Sequence, residues 1–236
     1  MEQSLAQLQL KIALAAIGRR DLALNLLHYA YELVTLPGFK MSSRRGRYVE
    51  LDRIVNEAVE RARLEVLKRD PDLCDDDVHR ISMMVGVGAI RYAMLSISAN
   101  KRMTFTWDRV LDFEQNSAPF IQYAYARACN ILAKVDFDFD DYDPNLLEEA
   151  SERKLILLLS KFPEVVEEAA ETLHVEMICD HLNELATAFN YFYDTIHVMR
   201  SRPEILRNTR LQLVNSVRVV LKNGLTLLGI DAPKRM

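Results

Sequence analysis

The 236-residue sequence is half hydrophobic, which is enough to build a core for one large domain or two modest ones. It contains no run of about 18 or more apolar residues and no secretory signal at its start, so we expect a cytoplasmic protein without a membrane partner. Three widely separated cysteines argue against a disulfide framework and against a zinc site, and we expect all three to be buried thiols: Cys74, Cys129 and Cys179.

Charge is distributed unevenly along the chain, although the net charge is only −4. Residues 1–69 carry 12 Lys and Arg against 8 Asp and Glu, residues 70–198 carry 10 against 24, and residues 199–236 carry 8 against 2. This distribution is consistent with a protein that binds a polyanion at its two basic ends. The acidic middle of the chain would repel the polyanion and so limit binding elsewhere. From charge alone, ordinary solvated faces are the simpler explanation.

The first predicted elements are a helix and a strand. Apolar residues at helical spacing predict an amphipathic helix over residues 4–17, with Gly18 as its stop. The segment His28 to Leu36 predicts a strand that leads into a loop at Pro37-Gly38. One helix and one strand cannot form a doubly wound sheet, so we expect an incomplete α/β domain. Because an unpaired strand lacks neighbours, we expect residues 1–40 to fray.

From Asp52 onward the pattern changes to successive helices. We expect Asp52 to cap a helix that ends near Arg69, and the aspartates at 75–77 to start a helix that continues to about Ile97, because helix N-termini favour carboxylates. The sequence "MTFTW" at 103–107 predicts a short strand. Further helices are predicted at about 119–133, 145–161, 164–173, 176–196 and 204–222, with Gly224 beyond the last stop.

Three patterns that suggest ligand sites have the wrong spacing. The "GVG" at 86–88 lacks the third glycine and the preceding strand of a dinucleotide fingerprint, so we expect it to allow close helix packing. The aspartates at 136–143 lack the glycine and the final glutamate of a calcium loop, which predicts a solvated acidic loop. His174 and His181 lack the spacing of a zinc-binding helix. We therefore expect no bound metal in this chain.

The loop Lys40 to Arg47 combines four positive charges with two serines and no acidic side chain. A lysine that follows a strand and a glycine can reach a phosphate chain, serine hydroxyls can donate hydrogen bonds, and arginines can bind phosphate oxygens through two parallel hydrogen bonds. This composition fits triphosphate binding. Basic loops also mark phosphorylation sites and surface-binding sites, and composition alone leaves those alternatives open.

The order of residues in this loop, "KMSSRRG", resembles the KMSKS signature of class I aminoacyl-tRNA synthetases. The stretch "FEQNSAPFIQYAYARACNIL" at 113–132 resembles arginyl-tRNA synthetases, and "ICDHLNELATAFNYFYD" and "RLQLVNSVRVVLKNGLTLLGIDAPKRM" resemble the anticodon-binding domain of that family. The blocks occur in the family's order and cover essentially the whole chain, and "LPGFKMSSRRGRY" is closest to the archaeal-type enzymes. The class I His-x-Gly-His motif, the amino-acid pocket and most of the nucleotide fold are absent.

The resemblance implies a mainly α fold: the incomplete end of a Rossmann-type α/β catalytic domain, followed by an all-α anticodon-binding helical bundle. Residues 1–71 would hold the KMSS loop and a connecting helix, and residues 72–236 would form the DALR-type anticodon-binding domain. Lys40 would offset the charge on the leaving pyrophosphate. The other residues implied at this catalytic and ATP/pyrophosphate site are Met41, Ser42, Ser43 and Arg44.

The resemblance also implies how tRNA would be read. Every arginine codon has G in the middle, so every arginine anticodon has C at its centre, and stacking on aromatic rings with edge hydrogen bonds would hold that base. The residues implied to contact tRNA are Asn116, Gln122, Tyr123, Arg127, Tyr193, Arg210, Arg218 and Met236. Core packing is the alternative for each tyrosine, and capping or interhelical hydrogen bonding is the alternative for Asn190 and Asp194. Arg207 and Lys222 are further candidates for phosphate contacts.

Two functions follow from the resemblance. The first is the C-terminal part of an arginine–tRNA ligase, which binds tRNA(Arg) but no DNA, and which uses ATP with Mg²⁺ and arginine only with the missing N-terminal half. The alternative is a freestanding, non-catalytic tRNA-binding paralogue. The intact loop from Lys40 to Ser43 favours the first, because a pure binding protein gains little from a pyrophosphate-stabilising lysine.

Overall fold

The computed structural model describes residues 3–38, 49–135 and 141–236. It confirms the mainly α fold that the sequence predicts. The elements in chain order are α1 (Ser4–Ala16), α2 (Arg20–Asn25), β1 (Val34–Thr35), α3 (Leu51–Arg69), α4 (Asp75–Leu95), β2 (Met103–Thr104), α5 (Trp107–Val110), α6 (Ala118–Leu132), α7 (Ala150–Thr172), α8 (Glu176–Thr195) and α9 (Glu204–Leu227), with 3-10 turns at Pro144–Leu146 and Val198–Arg200. Within the described ranges, no helix has the length and apolar character to cross a membrane.

The strands β1 and β2 form a parallel pair, with Val34 opposite Met103 and Thr35 opposite Thr104. Thr35 Oγ1 adds a hydrogen bond to the carbonyl oxygen of Met103 at 3.0 Å. The strand predicted from 28 to 36 is wrong in length, since β1 has two residues. The strand predicted at 103–107 is also too long. Its observed counterpart, β2, covers Met103–Thr104, and α5 begins at Trp107.

The predicted N-terminal helix is confirmed as α1, which ends next to Gly18 with a φ of 84°. Glycine adopts a positive φ with less strain than residues that have a Cβ atom. No residue of α1 is buried. Several of its apolar side chains are exposed, among them Leu5, Leu8 and Ile12 at 67, 54 and 62%. The only helix that packs appreciably against α1 within the described chain is α2.

The helices α3 and α4 lie very close together. A Cβ atom on Gly86 would lie 2.8 Å from the Cα atom of Val59, which confirms that this small-residue stretch allows helix packing. The predicted cap of α3 is wrong, because Glu50 is the N-cap residue and Asp52 lies in the first turn. A carboxylate in the first turn still interacts favourably with the helix dipole.

The helices α6, α7, α8 and α9 pack around the main core. Each contributes fully buried side chains, which include Ile121, Leu155, Leu182, Leu185, Phe189, Leu211 and Leu221. A second cluster joins α3, α4 and α6 to the end of the chain through Ala62, Val66, Leu73, Val78, Ile81, Val85, Ala126 and Met236. A third cluster packs β2 and α5 against α3 and α4.

Two predicted helix ends in this bundle are wrong. The helices predicted at 145–161 and 164–173 form one helix, α7, which runs through Pro163. Pro163 is exposed, so water can bond to the carbonyl group that lacks its usual helical partner. Helix α9 likewise continues past Gly224, which is buried and gives space to the side chain of Leu182.

Candidate nucleic-acid interface

Helix α6 presents two of the side chains predicted to contact tRNA on one face. It has a well-formed N-terminus, where Ser117 Oγ accepts a hydrogen bond from the Phe120 N–H at 3.1 Å and a proline occupies the first turn. Tyr123 and Arg127 are four residues apart, so helical geometry places them side by side. Both are half-buried, whereas residues such as Ala124 between them face the core.

Arg127 lies between two tyrosines. Its Cζ atom is 4.0 Å from the centroid of the Tyr193 ring and 5.4 Å from that of the Tyr123 ring. Its Nη1 donates to Asn190 Oδ1 at 2.8 Å, and its Nη2 donates to Asp194 Oδ1 at 3.0 Å. Asn190 and Asp194 thus make the interhelical hydrogen bonds that were the structural alternative for them.

Several modest contacts fix this guanidinium group. A cation–π contact contributes about 0.5–1 kcal/mol at an exposed site, and a surface ion pair about 0.2–1 kcal/mol. Together they hold Arg127, of whose side chain 22% is exposed. Tyr193 keeps 36% of its surface exposed, and Tyr123 is half-buried. Aromatic surface thus remains accessible for a base to stack on.

A groove of about 450 Å³ adjoins Tyr193. Its other walls come from the end of α6, the end of α8 and the turn that follows, including Ile131, Lys134, Ile196, His197 and Arg200. An aromatic wall next to cationic side chains suits a nucleotide, because the base can stack while the phosphate is neutralised. Sequence reasoning did not single out Lys134, His197 or Arg200. The basic balance of residues 199–236 pointed toward Arg200, and no sequence signal pointed toward the other two.

Comparisons with known proteins match this chain to arginyl-tRNA synthetases. The family model described as "tRNA synthetases class I (R), catalytic domain" matches residues 1–107, and the model "DALR anticodon binding domain" matches residues 121–236. All of the chain matches an arginine–tRNA ligase of Ignicoccus hospitalis with 44% identity over 238 residues, and one of Pyrococcus abyssi with 45% over 247 residues. The chain belongs to the arginyl-tRNA synthetase family.

The match is complete for this chain but partial for its relatives. The chain spans 37 and 38% of the length of those two ligases. The arginyl-tRNA synthetase of Thermus thermophilus superimposes with a TM-score of 0.86 and 36% identity over 98% of this chain and 39% of that one. The arginyl-tRNA synthetase of Plasmodium falciparum superimposes with a TM-score of 0.70 and 25% identity. That match covers 80% of this chain and 34% of the Plasmodium chain.

The predicted ATP loop of this synthetase-family chain lies outside the described residues. Lys40, Met41, Ser42, Ser43 and Arg44 all fall between Gly38 and Val49. Their roles therefore stay predictions.

Gln122 and Met236 lie inside the protein. Gln122 is fully buried, and its Nε2 donates to the carbonyl oxygens of Met84 at 3.1 Å and Asp231 at 2.6 Å. It thereby joins α6 to α4 and to residues 228–236, which we call the C-terminal segment. Met236 is 7% exposed in the second cluster, and Tyr123 packs against that cluster. Both residues make interior contacts of α6, and a direct contact of either with tRNA stays a prediction.

Asn116 orders the start of α6. Its φ is 45°, a left-handed conformation that asparagine tolerates better than most residues. Its N–H donates to Asn183 Oδ1 at 2.8 Å, and its Oδ1 accepts from the Tyr92 hydroxyl at 3.1 Å. Burial raises the pKa of Tyr92, so this hydroxyl keeps its proton and stays a donor. These bonds fix the loop before α6 against α4 and α8.

Arg210 and Arg218, two of the predicted phosphate contacts on α9, are engaged within the protein. Arg210 Nε donates to Glu152 Oε1 at 2.7 Å, and its Nη1 donates to Ser201 Oγ at 2.9 Å. Glu152 is fully buried, so this pair compensates a charge that would be costly alone. Arg218 donates twice to Asn215 Oδ1, at 2.7 and 3.1 Å. A phosphate would have to compete with these partners, and the contacts with tRNA stay predictions.

The cysteines differ from the expectation that all are buried. Cys179 is buried, Cys129 is half-buried, and Cys74 is exposed at the N-cap of α4. Burial raises the pKa of the Cys179 thiol to about 12, so it is inert as a nucleophile near neutral pH. In the part of the chain that the structure describes, no three His, Cys, Asp or Glu side chains are grouped so that they could hold a metal ion.

Proposed function

We propose that this chain is the C-terminal part of an arginine–tRNA ligase of the archaeal type, which attaches arginine to tRNA(Arg) at the expense of ATP. The observation that carries the proposal is Arg127 held between Tyr123 and Tyr193, beside a groove with cationic walls. The DALR family match over residues 121–236 supports it. The chain would bind the anticodon with these groups and would charge tRNA only together with the N-terminal half.

The central anticodon cytosine would be recognised by stacking and by its amino group. A carboxylate is the side chain that accepts a hydrogen bond from the cytosine N4 amine. Asp194 presents one next to Tyr193, with 62% of its side chain exposed. The groove beyond Tyr193 would accept a neighbouring nucleotide, with Lys134 and Arg200 near its phosphates.

The catalytic contribution would come from the KMSS loop. Lys40 would stabilise negative charge on the pyrophosphate as it leaves, which needs no proton transfer. Ser42 and Ser43 would support the loop or contact phosphate, with Met41 and Arg44 beside them, while Mg²⁺ would accompany ATP in the complete enzyme. The sequence has no His-x-Gly-His motif, so the remaining ATP contacts and the arginine pocket would belong to the other half. We place the boundary between the two domains at residues 71 and 72.

The test is binding of this chain to an arginine anticodon stem-loop RNA and to the same RNA with its central cytosine replaced, at one fixed salt concentration. We expect the replacement to weaken binding at least about tenfold, which corresponds to about 1.4 kcal/mol. Equal affinity for both RNAs would leave only sequence-independent phosphate contacts and would overturn the anticodon assignment.

A freestanding tRNA-binding paralogue is the second candidate, and complementation separates the two. The exposed apolar side chains of α1, such as Leu5 and Ile12, favour assembly with further protein. Mixing the chain with the N-terminal part of a related synthetase should restore arginylation in an aminoacylation assay. A Lys40→Ala chain is the matched control, which should still bind RNA but should not restore charging.

A further inference from the structure

The C-terminal segment is tied to the end of α3. Arg235 Nε donates to Asp70 Oδ2 at 2.7 Å, and its Nη2 donates to Asp70 Oδ1 at 3.1 Å. Asp70 is the C-cap residue of α3, and 18% of its side chain is exposed. An arginine that binds both oxygens of one carboxylate is fixed in direction as well as in distance. The contact therefore sets where the following residue enters the protein.

The following residue is Met236, which fills the second cluster. Its neighbours there come from three helices and include Val66 of α3, Val85 of α4 and Ala126 of α6. Tyr123 packs against the same cluster from the side of the proposed RNA interface. A methionine withdrawn from this cluster would remove support from beneath α6, because buried apolar contacts are lost wherever a void forms.

We propose that Asp70 is a positioning residue for anticodon reading. It holds Arg235, which seats Met236 beneath α6 and so fixes the ring of Tyr123. This inference rests on the proposed function. Asp70 lies within residues 1–107, which match the catalytic-domain model, and outside residues 121–236, which match the anticodon-binding model. The RNA-reading surface thus depends on a helix that belongs to the other matched region.

The test compares Asp70→Asn with Asp72→Asn. Asp72 is exposed and lies two residues away, and each substitution removes one negative charge. The measured quantity is the ratio of the dissociation constants for the arginine anticodon stem-loop and for its central-cytosine replacement. Because partly exposed ion pairs are modest, we expect Asp70→Asn to reduce the ratio about fivefold. The Asp72→Asn chain should keep the wild-type ratio.

Two further variants show whether the effect runs through Met236. Deletion of Met236 should reduce the ratio as well, and Asp70→Asn should have no additional effect in the deleted chain, since both remove the same support. The double variant Asp70→Lys with Arg235→Glu exchanges the two charges. Its ratio of dissociation constants should be closer to the wild-type value than that of Asp70→Asn. Arg235→Gln, which changes the more exposed partner, replaces Asp70→Asn if that chain does not fold.

The outcomes separate this inference from the proposed function. If the wild-type chain binds both RNAs equally, the proposed function fails. If the wild-type chain discriminates and the Asp70→Asn chain discriminates equally well, the proposed function stands and the inference is overturned. A lower melting temperature for Asp70→Asn with an unchanged ratio would show that the ion pair serves stability alone.

Discussion

Arg127 is held by the shape of its side chain as much as by its charge. The planar guanidinium group bonds to Asn190 and Asp194 while the rings of Tyr123 and Tyr193 lie near its Cζ atom. Helical spacing in the sequence is enough to predict that Tyr123 and Arg127 are neighbours. The contribution from α8, more than 60 residues later, depends on helix packing, and only the family resemblance indicated it from sequence.

Replacing Arg127 with lysine should impair RNA binding although the charge is kept. An ammonium group cannot reproduce the two coplanar hydrogen bonds and packs less well against aromatic rings. We expect affinity for the arginine anticodon stem-loop to fall about fivefold to tenfold in a fluorescence anisotropy titration. The same substitution at Arg80, in an exposed ion pair on α4, is the control and should leave affinity unchanged.

The salt dependence of this binding gives a second measurement on Arg127. Its hydrogen bonds lie within the protein, so Arg127→Ala should leave the slope of log affinity against log salt unchanged. A slope whose magnitude falls by about 0.7 would contradict this expectation. That change corresponds to the loss of one contact between the protein and a phosphate of single-stranded RNA.

His181 should make stability depend on pH. Burial lowers its pKa, with a smaller contribution from Lys161, whereas Glu184 and the carbonyl group of Leu158 oppose the shift. Below about pH 6.5 the unfolded chain binds a proton that the folded protein resists, so stability falls as pH falls, by at most about 1.4 kcal/mol per pH unit.

Urea unfolding at pH 8, 7, 6 and 5 would measure this effect. The His181→Leu chain should lose less stability than the wild type between pH 7 and pH 5, and the two stability curves should run parallel above pH 7, where the imidazole is neutral in both states. Parallel curves over the whole range would show that His181 does not contribute.

At the level of elements, apolar periodicity predicted most helices but not all of their ends. Pro163 and Gly224 are helix breakers in a sequence, yet α7 and α9 continue through them. In each case tertiary packing outweighs local preference, because Phe162 and Val165 on either side of the proline pack against the main core, and the glycine makes room for Leu182. Such packing is visible only once the neighbouring helix is in place.

Gly86→Ala should destabilise the protein despite the better helix propensity of alanine. The added Cβ would lie 2.8 Å from backbone atoms of Val59, which cannot rotate away. We expect a net loss of about 1–2 kcal/mol, or a melting temperature lower by about 2–8 °C, measured by circular dichroism.

Gly88→Ala is the matched comparison for this substitution. Its added Cβ would meet only side-chain atoms, of Gln122 and Ile230, at 3.0 Å. It should therefore lower the melting temperature less than Gly86→Ala does. An equal loss in both variants would mean that the close approach of α3 and α4 is not the cause.

Across the whole molecule, the two ends of the chain differ in how they are bound. The C-terminal segment is anchored by Arg235 and Met236, whereas no residue of α1 is buried. The sequence predicted an incomplete α/β domain at this end, and the short β1–β2 pair is what two isolated strand segments can form. The role of Asp70 could not be predicted, because it depends on a contact between residues 165 apart.

Hydrogen exchange should show this difference between the ends. Amides of α1 should exchange well before those of α8, which contributes many fully buried side chains to the main core. Mass spectrometry of peptic peptides after a series of exchange times gives the comparison. Protection of α1 equal to that of α8 would contradict the fraying expected of this segment.

The burial of Met236 also brings together parts of the chain that are far apart in sequence. Met236 shares the second cluster with Val66 of α3, Val85 of α4 and Ala126 of α6. Contacts of such high sequence separation form slowly, because the entropy of closing a long loop must be lost before the contact stabilises the protein. The surface that we propose for reading the anticodon therefore rests on contacts that belong to the late part of folding.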